Sequence, residues 1–141
     1  MWNNDILSII YTRVKIISTP MILKRYSGLS ESDLNFTTEA SAQTASKFPT
    51  IFFTQIAGGE TGETFDPTVN AVNFIVQIEV IHNTSQAMAN GIADIISDVM
   101  KSMYFKITGD PVQDNSDPKT KRNIARYSRV VGHGDGFFKL N

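Results

Sequence analysis

The chain has no cysteine and a single tryptophan among its 141 residues. Without cysteine there is no disulfide framework, no thiolate nucleophile and no Cys-ligated zinc or iron–sulfur site. Charge is scarce too: Asp, Glu, Lys and Arg make up 19% of the residues, below the roughly 25% usual in soluble domains. The 13 basic and 14 acidic groups leave a net charge of −1. A domain built to neutralise phosphates tends to be basic, so direct nucleic-acid recognition is the weaker expectation. No apolar run approaches the roughly 18 residues that would span a bilayer. Met1-Trp2-Asn3-Asn4-Asp5 lacks the basic start of a signal peptide. The expectation is a protein made and kept in the cytosol, with no membrane partner.

What is abundant is uncharged polarity. Asn, Gln, Ser and Thr number 10, 5, 12 and 13, a surface suited to hydrogen-bonded contact with other protein surfaces. The small net charge also hides a polarity along the chain. Residues 1–100 carry 5 basic and 10 acidic groups, net −5, whereas residues 101–141 carry 8 basic and 4 acidic, net +4. Unlike poles on one small domain are what a head-to-tail assembly of identical subunits can use.

Ile6, Ile9, Ile10, Val14 and Ile17 recur at helical spacing from Asp5 to Ser18, and Thr19-Pro20 is expected to end that helix. Leu34 to Thr37 is a short strand candidate. Thr50-Ile51-Phe52-Phe53-Thr54-Gln55-Ile56 is rich in aromatic and β-branched residues and reads as a strand. Between Val69 and Ile81, Val72, Phe74, Val76, Ile78 and Val80 fall on one face opposite Asn73, Gln77 and Glu79, the strongest strand signal in the chain. Asn83-Thr84-Ser85-Gln86 then has the form of a capping box with Asn83 as the cap. Met88, Ile92, Ile95, Ile96, Val99 and Met103 follow as the stripe of a long helix that must cover the sheet.

Tyr104 to Thr108 is a further short strand candidate, and residues 109–118 read as turn chemistry throughout. Lys121 to Val131 is the last strand. Arg122, Ile124, Arg126, Ser128 and Val130 lie on one of its faces, and Asn123, Ala125, Tyr127, Arg129 and Val131 on the other. The predicted architecture is a single α+β domain spanning 1–141, of order α-β-β-β-α-β. It has one mixed or antiparallel sheet of about four strands backed by two helices. Two polar loops, 57–68 and 109–120, are long for so small a domain, and such loops are commonly functional.

No constellation for chemistry emerges. There is no Gly-x-Ser-x-Gly elbow, and the glycine loop continues Gly59-Glu60-Thr61-Gly62-Glu63, placing acids where a phosphate would sit. His82 and His133 are far apart in sequence and have no carboxylates at ligand spacing, so no metal, cofactor or catalytic residue is assigned. Asp94 and Asp98 share a helical face and read as solvated. Lys119, Lys121, Arg122, Arg126 and Arg129, interleaved with Tyr127, are the one basic run with an aromatic, the alternative nucleic-acid surface.

The N-terminal helix, the Phe48-Pro49-Thr50-Ile51-Phe52-Phe53 strand and the acidic Gly-rich loop begin a recognisable pattern. It continues through Gln77-Ile78-Glu79-Val80-Ile81-His82-Asn83-Thr84-Ser85-Gln86-Ala87, the long helix and the closing Arg126-Tyr127. Over residues 5–133 this pattern resembles the tail terminator, or tail completion, proteins of long-tailed, non-contractile bacteriophages. The resemblance implies a structural, non-enzymatic virion protein, assembled in the host cytoplasm. It would form a hexameric ring with copies of itself on the head-proximal end of the tail tube, stop tube polymerisation and face the head–tail connector. The family is thought to be largely monomeric before docking.

DNA would pass through such a ring unbound, which a lumen lacking basic groups favours. On this reading Glu60, Glu63 and Asp66 lie near the lumen or the tube, and Lys119, Lys121, Arg122 and Arg126 in a subunit or connector contact. A head-closure or adaptor ring of the phage neck is the nearest alternative.

Overall fold

The computed structural model describes residues 6–38, 47–58, 71–114, 116 and 119–132. The fold is α+β, with two helices laid on one face of a six-stranded mixed sheet. Helix α1 (Ile6–Arg25) is followed by a 3-10 turn at Glu31–Asp33 and strands β1 (Asn35–Thr37), β2 (Thr50–Gly58) and β3 (Ala71–His82). Helix α2 (Gln86–Ser102) leads to β4 (Lys106–Ile107), β5 (Val112–Asp114) and β6 (Lys121–Gly132).

Strand order is β1-β2-β3-β6-β4, with β5 also pairing β6. The centre is antiparallel: β3 pairs β2 and, along twelve positions from Ala71↔Gly132 to His82↔Lys121, β6. β1 runs parallel to β2, from Asn35↔Thr50 to Thr37↔Phe52, which makes the sheet mixed. The alternation read from the sequence decides the faces. Phe74, Val76, Ile78 and Val80 are buried under the helices, as are Asn123, Ala125, Tyr127 and Val131 of β6 and Ile51 and Phe53 of β2. From above they meet Ile6, Ile10, Val14 and Ile22 of α1 and Ile92, Ile95, Ile96, Val99 and Met100 of α2. Each Val, Ile, Phe or Met among them contributes about 1.5–3 kcal/mol when fully buried.

Three local expectations are corrected. Helix α1 does not stop at Thr19-Pro20 but runs to Arg25 with Pro20 inside it. An interior proline costs about 3 kcal/mol or more. Continuing the helix carries Ile22 onto the same buried track as Ile10, Val14 and Ser18. It also seats Leu23 and Tyr26 against the core. The Ser18 and Thr19 hydroxyls, meanwhile, donate to the carbonyls of Val14 (2.6 Å) and Lys15 (2.5 Å). By length and a mean hydropathy of 1.5 alone, this 20-residue helix meets the requirement for crossing a membrane; its buried track packs on the sheet instead.

The second correction concerns the cap of α2. Ser85, not Asn83, is the N-cap, accepting from the Met88 amide at 3.0 Å. Gln86 becomes the first helical residue and reaches Asn90 Oδ1 and the Arg122 carbonyl instead of closing a capping box. The reason is tertiary: β3 extends through His82, so Asn83 and Thr84 are used up in the turn.

Third, the 109–118 stretch is not all turn. Val112, Gln113 and Asp114 pair with Ile124, Asn123 and Arg122 as β5, while Gly109, at φ +89°, forms the corner after β4. Pairing with the long β6 outweighs the Asp- and Pro-rich local preference. The 57–68 loop falls almost wholly in residues outside those described.

Candidate assembly interface

The four basic residues singled out in the sequence lie on β6 or just before it, and strand alternation divides them. Arg122 and Arg126 point from the face away from the helices, whereas Lys121, opposite His82, belongs to the helix side. Lys119 is exposed in the turn before the strand. Arg126 is exposed and its Nε donates to Gln77 Oε1 across the β3–β6 pair at 2.9 Å. Arg122 is held within the fold. Its Nη1 lies 3.2 Å from Glu79 Oε1, with the two side chains 12% and 8% exposed, and its Nε reaches Thr120 Oγ1 at 3.4 Å. Asp114 stands opposite Arg122 across β5–β6. The Asp114 carboxyl is held below its usual range, first by hydrogen bonds from Ser116 and further by the Arg122 charge. The acidic trio Glu60, Glu63 and Asp66 lies outside the described residues.

The alternative base-stacking surface needs an accessible aromatic, and its aromatic is Tyr127, on the face opposite Arg126 as the alternation implies. Tyr127 is buried under α2 beside Ser97, so its ring offers no stacking surface, and burial raises its hydroxyl's pKa. Asp94 and Asp98 are exposed on the outer side of α2, as expected for a solvated face.

His82 is buried at the β3–α2 turn. Its Nδ1 accepts from the amides of Thr84 and Ser85, both at 3.1 Å. The proton of the neutral ring is therefore on Nε2. Burial lowers its pKa. Beside it Asn90 Oδ1 accepts from both Gln86 (2.9 Å) and Asn123 (3.0 Å), while Gln86 Oε1 and Asn123 Oδ1 are buried without a hydrogen-bond partner. Among the described residues, no group of three or more His, Cys, Asp or Glu could hold a metal ion.

Two surface features went unseen in the sequence. At the end of α2, Phe105 N–H bonds to the Met100 carbonyl and Tyr104 N–H to that of Lys101, the paired bonds of a Schellman ending. The left-handed position in that motif, normally glycine, is Tyr104 at φ +66°, a conformation costing a non-glycine residue about 1–2 kcal/mol. The residue is 79% exposed, with the Arg129 guanidinium 5.9 Å from the ring centroid.

At the other edge of the sheet, an open groove of about 430 Å³ runs between α1 and β1. It is lined by Ile16, Pro20, Leu23, Leu34 and Phe36, with Lys15 and Glu31 at hand. Ile16 is 68% exposed there. The only sequence hint of the groove was that apolar residues continue past Pro20; a hint of the turn was absent, because nothing local makes Tyr104 a stop signal.

No protein-family model matches the chain, and no curated protein matches it.

Proposed function

We propose that this chain is a tail terminator: a non-enzymatic structural protein that rings the head-proximal end of a phage tail tube, ends its polymerisation and offers a surface for head joining. The observation that carries this reading is the succession of elements. An N-terminal helix, the Thr50–Gly58 strand, the Ala71–His82 strand running directly into the Ser85-capped α2, and the closing Lys121–Gly132 strand occur in the order on which the resemblance rests.

Two further features support it. The unlike charge of the two parts of the chain, net −5 over 1–100 and net +4 over 101–141, suits contacts between unlike surfaces of identical subunits. Arg126 is exposed on the sheet face that the helices leave uncovered, where a subunit or connector can reach it. On this reading the partners are further copies of the chain, the tail tube protein and the head–tail connector, and DNA passes through without specific binding. The chain is found first in the host cytoplasm and then in the neck of the virion.

The test is mass in solution across a concentration series, alone and with purified tail tubes. A species near 15.6 kDa that adds to tube ends as a hexameric ring and blocks further growth is the expected result. A chain that leaves tube growth unchanged at every concentration refutes the proposal, and a ring that forms without tubes moves the assignment to a connector-type neck protein.

A further inference from the structure

Three side-chain amides meet where the start of α2 lies over the start of β6. Asn90 Oδ1 accepts from Gln86 Nε2 at 2.9 Å and from Asn123 Nδ2 at 3.0 Å. A backbone carbonyl fixes which way each amide faces. Gln86 Nε2 also donates to the Arg122 carbonyl at 3.1 Å, so turning this amide over would set its oxygen against two acceptors. Asn90 must therefore present its oxygen to Gln86, and Asn123 must present its nitrogen to that same oxygen.

This order leaves the other two oxygens without a donor. Gln86 Oε1 and Asn123 Oδ1 are sealed from solvent, and neither accepts a hydrogen bond among the described residues. Asn123 as a whole is only 7% exposed. A buried acceptor with no donor keeps its full desolvation penalty, and folded proteins meet such groups with an internal donor or an ordered water. The two amides share one contact atom, Asn90 Oδ1, which keeps them side by side.

We infer that one buried water donates a hydrogen to each of these two oxygens and so bridges α2 to β6. Burial and charge select the occupant. A side chain of another molecule would have to part α2 from β6 to reach atoms that solvent does not. A cation is disfavoured by its neighbours. Gln86 is the first residue of α2, where the helix dipole is positive, and Lys121 lies half-buried on the same face of β6 as Asn123. Among the described residues no group of three or more His, Cys, Asp or Glu could hold a metal ion and offset that charge. Water is neutral and carries two donors for two acceptors. Buried waters make about three hydrogen bonds; the third is accepted by the water's oxygen, and Asn90 Nδ2 and Lys121 are the donors at hand.

The bridge ties the first turn of α2 to β6 at the level of Val80, which pairs with Asn123. It also holds Gln86 in the orientation that the Arg122 carbonyl requires. This inference is independent of the terminator reading.

The test is a high-resolution crystal structure of the full-length chain, joined to water-to-amide magnetisation transfer in solution. The expected density is one peak within about 2.5–3.0 Å of both oxygens. In solution, the side-chain amide protons of Gln86 and Asn123 should show transfer of the sign that marks a bound water and not proton exchange. Asn123→Leu should abolish the transfer at Gln86, and Gln86→Met, at the half-buried start of α2, should abolish it at Asn123. If neither variant folds, the crystal structure and the transfer in the natural chain decide by themselves.

Transfer that survives in a folded variant overturns the bridge. So does a site with no density and no transfer, a pair of separate waters, or Lys121 Nζ donating to either oxygen. Contacts of about 2.3–2.6 Å from six or more oxygens mark a divalent cation and overturn it as well.

Discussion

The Tyr26 hydroxyl occupies the space that a β-carbon on Gly91 would need. Tyr26 follows α1 and Gly91 lies in α2 one turn beyond its start, so this close approach brings the two helices together. Arg25 adds a long hydrogen bond from its Nη1 to the Gly91 carbonyl at 3.4 Å.

Gly91→Ala should therefore change sign with its background. In the natural chain the methyl gains about 1 kcal/mol of helix propensity but meets an overpacking cost of about 1–3 kcal/mol, so the melting temperature should fall. With Tyr26→Ala already in place the obstruction is gone, and the same substitution should stabilise by up to about 1 kcal/mol. Chemical denaturation of the four chains of this cycle checks it, and equal effects in both backgrounds would refute the packing account.

The Glu79–Arg122 pair should behave as a nearly buried ion pair does. Glu79→Leu alone leaves a guanidinium with its main acidic partner removed and should cost about 3 kcal/mol, whereas Glu79→Leu with Arg122→Leu should cost far less. Urea midpoints of the single and double variants decide it. A double variant as unstable as the sum of the singles would mean that the two residues act independently.

The cap of α2 is at Ser85, so Ser85→Ala should cost about 1 kcal/mol while Asn83→Ala should cost close to nothing. Thermal melts distinguish the two. The reverse ranking would restore the capping box that the sequence suggested.

His82 gives a pH dependence with a defined sign. Burial lowers its pKa from the ordinary 6.5, and its Nδ1 must stay unprotonated to accept from Thr84 and Ser85. The unfolded chain therefore binds the proton more readily than the folded one. Stability is full above about pH 6.5 and is lost as pH falls below it, until the folded-state value is passed. Stability measured from pH 7.5 down to pH 5 should decline more steeply in the natural chain than in His82→Asn. Amide exchange at Thr84 and Ser85 should accelerate over the same range.

Some of this architecture was determined by the sequence alone. The alternation from Phe74 to Val80 fixed which side of β3 is buried, and the same period in β6 separated Arg126 from Tyr127. The stripe from Met88 to Met103 required α2 to cover a sheet. These are periodic signals, in which each residue repeats the message of its neighbours, so they survive local noise.

Tertiary structure decided what no local pattern encodes. Pro20 sits inside α1 because Ile22 has a core to enter, and Val112–Asp114 is a strand because β6 offers it an edge. Ser85 rather than Asn83 caps α2 because β3 pairs as far as His82. The partner of Arg122 comes from a strand more than forty residues earlier, a match set only by strand register. The placing of Tyr104 at one edge of the sheet and the α1–β1 groove at the other is of the same kind. Both depend on long-range pairing, whose free energy comes from burying surfaces that are far apart in the chain and meet only when it folds.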